Sequence, residues 1–594
     1  MKSVIIIIVD ALRFDCLTYS QDKLFLRKYG VEQLLHTPNL DWFAEQGVFF
    51  EQARSVATQT PTAVASLFTG CYPPRHGVRA FYDGPIPNSL PTIWELFSKA
   101  GYDTIFYRDN LLSPQQEDGF ADFVWDWNGC TRGCHHCVTV SSDDLFELLK
   151  DKVNQPFLLV AHFFDVHMPY LVAPYLFDRS ERRFFDYINM WSERFGVDPS
   201  FDDSREPEFE EFVAAFRAFQ VPFFSKGLGN PVESLLPMYV EGVSKFDQGH
   251  FAYFVNGLRQ PNLLDDALTV ILADHGESAY AVRGTGRRSF NHGCSPVEGA
   301  IRIPLILYSP HNLPCGQRVS AQVSIIDILP TVLDFASINS PASIQGTSLL
   351  PLVEGCQASG SPAYSERSGG SFGELTRQEF RQQSMREGRF VAHESFVIER
   401  SLQDGTFKYV EEGDELSEED WSADASWFFR VLFRKILAKW ENEPDLLHFA
   451  SQFGMTAYRQ RYYQLLSKFT RLLYRVIRKV LPEFYVNSVS LLGFDRTVKW
   501  FVRNQIPREK MVDCFERHAR LHNKYQLYNT TQDPEQQVNL LAVDPKQYDR
   551  VAQSLRDKMM EISRDLVETG ASQLDYTDKD METVFKRLEH LGYL

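Results

Sequence analysis

Short uninterrupted apolar runs, rich in β-branched residues, recur through the first two-thirds of the chain, at 4–9, 104–107, 157–162, 268–273 and 303–308. Stretches of helical length separate them. Apolar runs of about four to eight residues without alternation predict strands covered on both faces, and such strands interleaved with helices build a mostly parallel sheet. The expected fold class is therefore α/β. In an open parallel sheet the ligand site lies outside the carboxyl ends of the strands. The polar residues that follow the runs at that edge are Asp10, Asp165 with His167, and Asp274 with His275. Carboxylates and imidazoles gathered at one edge suggest a divalent metal.

Length changes this picture first. With 594 residues, the chain exceeds the roughly 250–300 residues at which single cores stop growing, so two or more domains are expected. Charge narrows the partners: 61 Lys and Arg against 78 Asp and Glu leave a net −17, which disfavours nucleic acid. The nine cysteines are an odd number, and several sit in apolar runs, which fits reduced buried thiols in a reducing compartment. The apolar run at 4–9 is too short for a signal-peptide core or a membrane span, and no other stretch reaches about 18 apolar residues. A soluble, cytoplasmic protein is the expectation.

Eight stretches carry a resemblance. They are VIIIIVDALRFDCL from Val4, HTPNLDWFAEQGVFFEQA from His36, TPTAVASLFTGCYPPRHGV from Thr60 and FFDVHMPY from Phe163, then DDALTVILADHGES from Asp265, NHGCSPVEGAIRIPLILYSP from Asn291, VSIIDILPTVLDFA from Val323 and YQLYNTTQDPEQQVNLL from Tyr525. In this order the chain resembles the sulfatase and alkaline phosphatase superfamily, and the closing RLEHLGYL is similar as well. The resemblance implies an alkaline phosphatase-like, doubly wound, mostly parallel sheet in a catalytic domain at 1–375. A smaller C-terminal α+β subdomain at 376–594 would carry a helical insertion at about 411–524.

The family pattern puts the nucleophile ten residues before the glycine of a Thr-Gly pair, which here is Gly70, and so indicates Thr60, with Thr58 and Thr62 as neighbouring registers. Pro61 would then occupy the first helical position and Thr60 the N-cap, where a hydroxyl lies beside free backbone N–H groups. Sulfatases place a cysteine or serine there, followed by proline and arginine, and convert it to formylglycine. This chain reads Thr60, Pro61, Thr62, Ala63, Val64, so the aldehyde-hydrate route is closed and a direct threonine alkoxide is implied, similar to the phosphodiesterase and phosphoglycerol-transferase branches. Where sulfatases commonly carry a second aspartate, this chain has Ala11.

The implied metal set is Asp10, Thr60, Asp274 and His275, holding one divalent ion. The imidazole favours zinc or manganese over calcium, with magnesium and calcium left open. His167 and His292 match positions that contact the anionic group or protonate the leaving oxygen. Asp165 with His167 and His292 could instead hold a second metal, but the one-residue Asp-to-His gap favours a single ion. The expected function is a metal-dependent hydrolase or transferase of phosphate-type esters, with an anionic ester, lipid- or glycan-linked, as substrate. Two alternatives are a sulfuric ester hydrolase and a membrane-surface binding protein with a vestigial site.

Two further features stand apart. Cys130, Cys134 and Cys137 with His135 and His136 form a run with zinc-staple spacing, against which plain reduced thiols are the simpler reading. From 426 to 481, inside the insertion, eleven Lys or Arg face three acids. Basic amphipathic helices there would either pack on the catalytic domain or contact an anionic membrane surface. Oligomeric state is left open.

Overall fold

The structure is a computed structural model that describes residues 2–79, 86–108, 130–138, 142–150, 155–167, 170, 231–259, 262–282, 287–293, 296–356, 360–368, 397–412, 525–533, 536 and 539–564. The insertion beyond 412, with its basic segment, and the closing RLEHLGYL lie outside the described residues.

Fourteen strands are described: β1 (Val4–Val9), β2 (Val48–Arg54), β3 (Asp103–Arg108), β4 (His136–Val138), β5 (Phe157–Phe163), β6 (Leu268–Leu272), β7 (Ser278–Val282), β8 (Arg287–Asn291), β9 (Arg302–Tyr308), β10 (Gln317–Ser324), β11 (Ala363–Ser368), β12 (Val397–Gln403), β13 (Phe407–Glu412) and β14 (Tyr525–Asn529). Eight of them form one sheet in the order β10-β2-β9-β6-β1-β5-β3-β4. Strand β1, with six fully buried residues, lies near the middle between β5 and β6, parallel to both. All five runs read from the hydrophobic pattern are strands of this sheet. The exception to parallel order is β9, which runs antiparallel to both β6 and β2.

Register sets up the site. Ile8 faces Leu272 and Val9 faces Phe163, so the residues just past β1, β5 and β6 emerge at one level. The Asp10 N–H extends the ladder by donating to the Phe163 carbonyl at 2.9 Å.

The helix Thr60–Thr69, which carries no charged residue, is buried along its whole length. It ends on Gly70, whose φ of 63° is the left-handed conformation that favours glycine at a helix C-terminus. The segment before it is held by backbone bonds: Ser55 N–H to Ile301 O at 2.7 Å, Glu366 N–H to Val56 O at 2.8 Å, and Gly293 N–H to Thr58 O at 2.6 Å. Through Glu366, β11 of the second sheet (order β11-β12-β13-β14) is tied to this segment. Strand β11 falls before residue 375 and β12, with which it pairs antiparallel, falls after it. No helix among the described residues is long and apolar enough to cross a membrane.

Candidate active site

At the carboxyl edge, Asp10 follows β1 while Asp274 and His275 follow β6, and all three are fully buried. One ligand atom from each lies within 4.8 Å of the others. Thr60 enters the same space from the start of its helix: its Oγ1 donates to Asp10 Oδ2 at 3.1 Å and lies 3.0 Å from His275 Nε2. The four residues expected to meet therefore do meet.

The placement of Thr60 differs from the expectation by one residue. Gln59, extended at φ −150° and ψ 146°, is the N-cap, Thr60 is the first helical residue and Pro61 the second. The first helical bond runs from Ala63 N–H to Gln59 O at 3.2 Å. An N-cap hydroxyl would be turned back onto its own helix. One position later, the Thr60 hydroxyl is directed across the sheet edge to Asp10 and His275.

The donor set fits a cation. Two backbone N–H groups, from Ala11 at 3.2 Å and His275 at 2.8 Å, occupy Asp274 Oδ1. Asp274 Oδ2 and Asp10 Oδ1 are buried without a hydrogen-bond partner. Both face His275 Nε2, at 3.4 and 3.7 Å respectively; a buried carboxylate oxygen without a hydrogen bond is costly, and a bound ion removes the cost. Burial opposes the charge on Asp10, yet the hydrogen bond with His162 and the imidazoles of His167 and His275 hold its pKa well below the ordinary range. For His275 burial works against the cation, but Asp274 and Asp10 beside it raise its pKa.

Opposite this group stand His167 and His292, with their Nε2 atoms 3.2 Å apart. The His292 ring also lies against that of His275, the centroids 4.6 Å apart. Glu277, which lies in the DDALTVILADHGES stretch without an expected role, fixes His292 by an Oε1 to Nδ1 contact of 2.8 Å. Strands β7 and β8 pair with each other; Glu277 immediately precedes β7 and His292 immediately follows β8, which brings the two side chains together. Burial pushes the Glu277 carboxyl up to about 7, and burial with the neighbouring His275 pushes His292 down to about 3. His162, on β5, places Nε2 3.3 Å from Asp10 Oδ2. An imidazole in an otherwise apolar, fully buried run was the signal that could have found it.

Asp165 does not join the site. Its carboxylate is paired with His250 Nδ1 at 3.1 and 3.2 Å, both groups being buried, so it is not available beside His167 and His292 for a second metal. The cysteine run shows no staple among the described residues. Cys130 is buried and Cys134 is half-buried, its Sγ against the Thr104 and His136 carbonyls, while His135 and His136 each lie 3.1 Å from Asp103 Oδ1. The side chain of Cys137 lies outside the described residues.

The arylsulfatase of Clostridium perfringens is 24% identical over 409 residues, 59% of this chain and 78% of that protein. The multifunctional alkaline phosphatase superfamily protein PehA of Trinickia caryophylli is 23% identical over 421 residues, 60% of this chain and 77% of that one. Two solved structures share the fold at 15% identity. The phosphonate monoester hydrolase of Agrobacterium radiobacter has a TM-score of 0.52, with 98% of this chain and 97% of that one covered. A protein solved in complex with its substrate D-glucosamine-2-N,6-O-disulfate has a TM-score of 0.53, with 96% and 99% covered. The family model described as Sulfatase matches residues 2–338, more than half of the chain and every strand end that contributes to the site. The protein belongs to the sulfatase family and is an ester-hydrolysing enzyme.

Proposed function

We propose that the protein is a metal-dependent hydrolase or transferase of phosphate-type esters, phosphodiesters or phosphonate monoesters, with Thr60 as covalent nucleophile. The observation that carries this reading is the buried Thr60 hydroxyl set between Asp10 and His275 at 3.1 and 3.0 Å, where a residue convertible to formylglycine is missing. Asp10, Asp274 and His275, with the Thr60 oxygen, would hold one divalent ion, zinc or manganese by the mixed oxygen and nitrogen donors. Such an ion supplies Lewis acidity that favours the alkoxide and neutralises ester oxygens.

The protein's own groups account for the rest. Thr60 Oγ1, its proton already released to solvent water, bonds to phosphorus as the bond to the leaving oxygen breaks. His167 delivers a proton to the leaving oxygen, with His292, a neutral imidazole, 3.2 Å away through Nε2 as its partner. In the second displacement, water or an alcohol returns a proton to His167 while its oxygen bonds to phosphorus and the phosphorus bond to Thr60 breaks, which leaves Thr60 as the alkoxide that began the cycle. Glu277 holds His292 by Nδ1, which leaves Nε2 directed at His167.

A second reading, hydrolysis of sulfuric esters, is favoured by the arylsulfatase relative. Threonine argues against it, because an aldehyde hydrate can expel a bound sulfate through its second hydroxyl and threonine has none. The test is turnover of aryl sulfate, phosphomonoester, phosphodiester and phosphonate substrates by the zinc- or manganese-loaded protein. The proposal expects a diester or phosphonate to be fastest, and Thr60→Ala to lose on the order of 10⁴-fold or more in kcat. Fastest turnover of the sulfate would select the second reading; no turnover of any would leave a vestigial site.

A further inference from the structure

The turn that follows β1 contains a strained residue. Ala11, fully buried, has φ of 61°, a left-handed conformation in which its Cβ crowds the backbone and which residues other than glycine seldom adopt. Such strain persists only where neighbours over-determine it. Here the neighbour is Tyr239, on the helix Pro231–Phe246. Its hydroxyl accepts from the Arg13 N–H at 2.8 Å and donates to the Ala11 carbonyl at 2.8 Å, bridging both sides of the turn with one atom. Tyr239 is itself fully buried, edge-on to Tyr170 and Phe290 with centroids 5.3 and 5.4 Å away. Burial pushes its pKa well above the ordinary value, so it remains a phenol able to donate and accept at once.

The strained turn touches both carboxylates of the site. Asp10 immediately precedes Ala11, and the Ala11 N–H donates to Asp274 Oδ1 at 3.2 Å. That bond, with the one from His275 N–H, occupies Oδ1 and leaves Oδ2 for a cation. Relaxing Ala11 to negative φ would swing its N–H away from Asp274 and turn Asp10. We propose that Tyr239 is a positioning residue whose hydroxyl clamps Ala11 in the left-handed conformation and thereby holds Asp10 and Asp274 in a metal-ready arrangement. The proposal rests on the reading of Asp10, Asp274 and His275 as the metal-holding group. It assigns no contact between Tyr239 and substrate or metal.

The test uses the full chain and Zn²⁺ alone, with affinity measured by competition against a chromophoric chelator. Removing the hydroxyl with Tyr239→Phe should weaken Zn²⁺ binding about 10–100-fold, the range typical of groups that orient metal ligands. Adding Ala11→Gly to that variant should recover most of the loss, because glycine adopts the left-handed conformation without a clamp. A tyrosine that merely stabilised the fold would show no such glycine-dependent recovery of affinity. Tyr239→Phe binding Zn²⁺ as the wild type does, or a loss that glycine fails to recover, overturns the clamp while leaving the metal site standing. Wild-type protein that binds no more Zn²⁺ than Asp274→Ala overturns the metal site and the clamp with it. Should Tyr239→Phe not fold, Ala11→Val, which keeps the hydroxyl but resists positive φ, should show the same loss, and unchanged affinity there overturns the clamp.

Discussion

Asp274 spends one oxygen on two backbone N–H groups and keeps the other without a hydrogen bond, 3.4 Å from His275 Nε2, an arrangement that makes it more than a strand-end cap. Asp274→Ala should therefore abolish stoichiometric metal and turnover together, read by metal analysis of the purified protein alongside activity. A variant that keeps its metal would show that other groups hold it. Asp10, Asp274 and His275 were legible in the sequence because a strand end converts position in the chain into position in space. His162 and Glu277 were not. His162 sits inside β5 and not past its end, so a reading of strand ends misses it, and Glu277 acts only because the pairing of β7 and β8 returns His292 to its side. Asp165 misled for the opposite reason, since its partner His250 lies 85 residues away in sequence and nothing local announces the pairing.

The elements themselves follow the hydrophobic pattern closely: β1 spans the residues its apolar run marked, and β3, β5, β6 and β9 match theirs within a residue at either end. Direction is another matter. A strand covered on both faces carries the same apolar signature whichever way it runs, so the antiparallel sense of β9 could not be read from its residues. The start of the Thr60–Thr69 helix was misread by one position, since Thr-Pro is compatible with either register. Its end was marked by Gly70. A Cβ at Gly70 would meet Ile344 Cγ2 at 2.8 Å and Leu329 at 3.4 Å, at a φ of 63°. Gly70→Ala should accordingly cost about 1–2 kcal/mol from the left-handed backbone alone, more with the collision. Denaturant unfolding should show a lowered midpoint; an unchanged midpoint would mean the helix terminus relaxes without strain.

At the scale of the whole molecule, an ion bound only by the folded state links the site to global stability. At a free metal concentration about 100 times Kd, chelation should lower unfolding free energy by about 2.7 kcal/mol, and the gap should grow with the logarithm of metal concentration. A stability independent of metal would count against the buried carboxylates as its ligands. The acidic chain contains one strongly basic stretch, at 426–481, whose role the catalytic geometry does not require. The proposed chemistry turns on Thr60, and the most direct test is rapid-quench mass spectrometry with a slowly turned-over aryl phosphodiester or phosphonate. The account predicts an unmodified threonine at position 60 in the resting protein, and during turnover a mass increase equal to the retained phosphoester or phosphonyl group, mapped by fragmentation to Thr60. An adduct on Thr58, Thr62 or another residue, or undiminished turnover by Thr60→Ala, would contradict it.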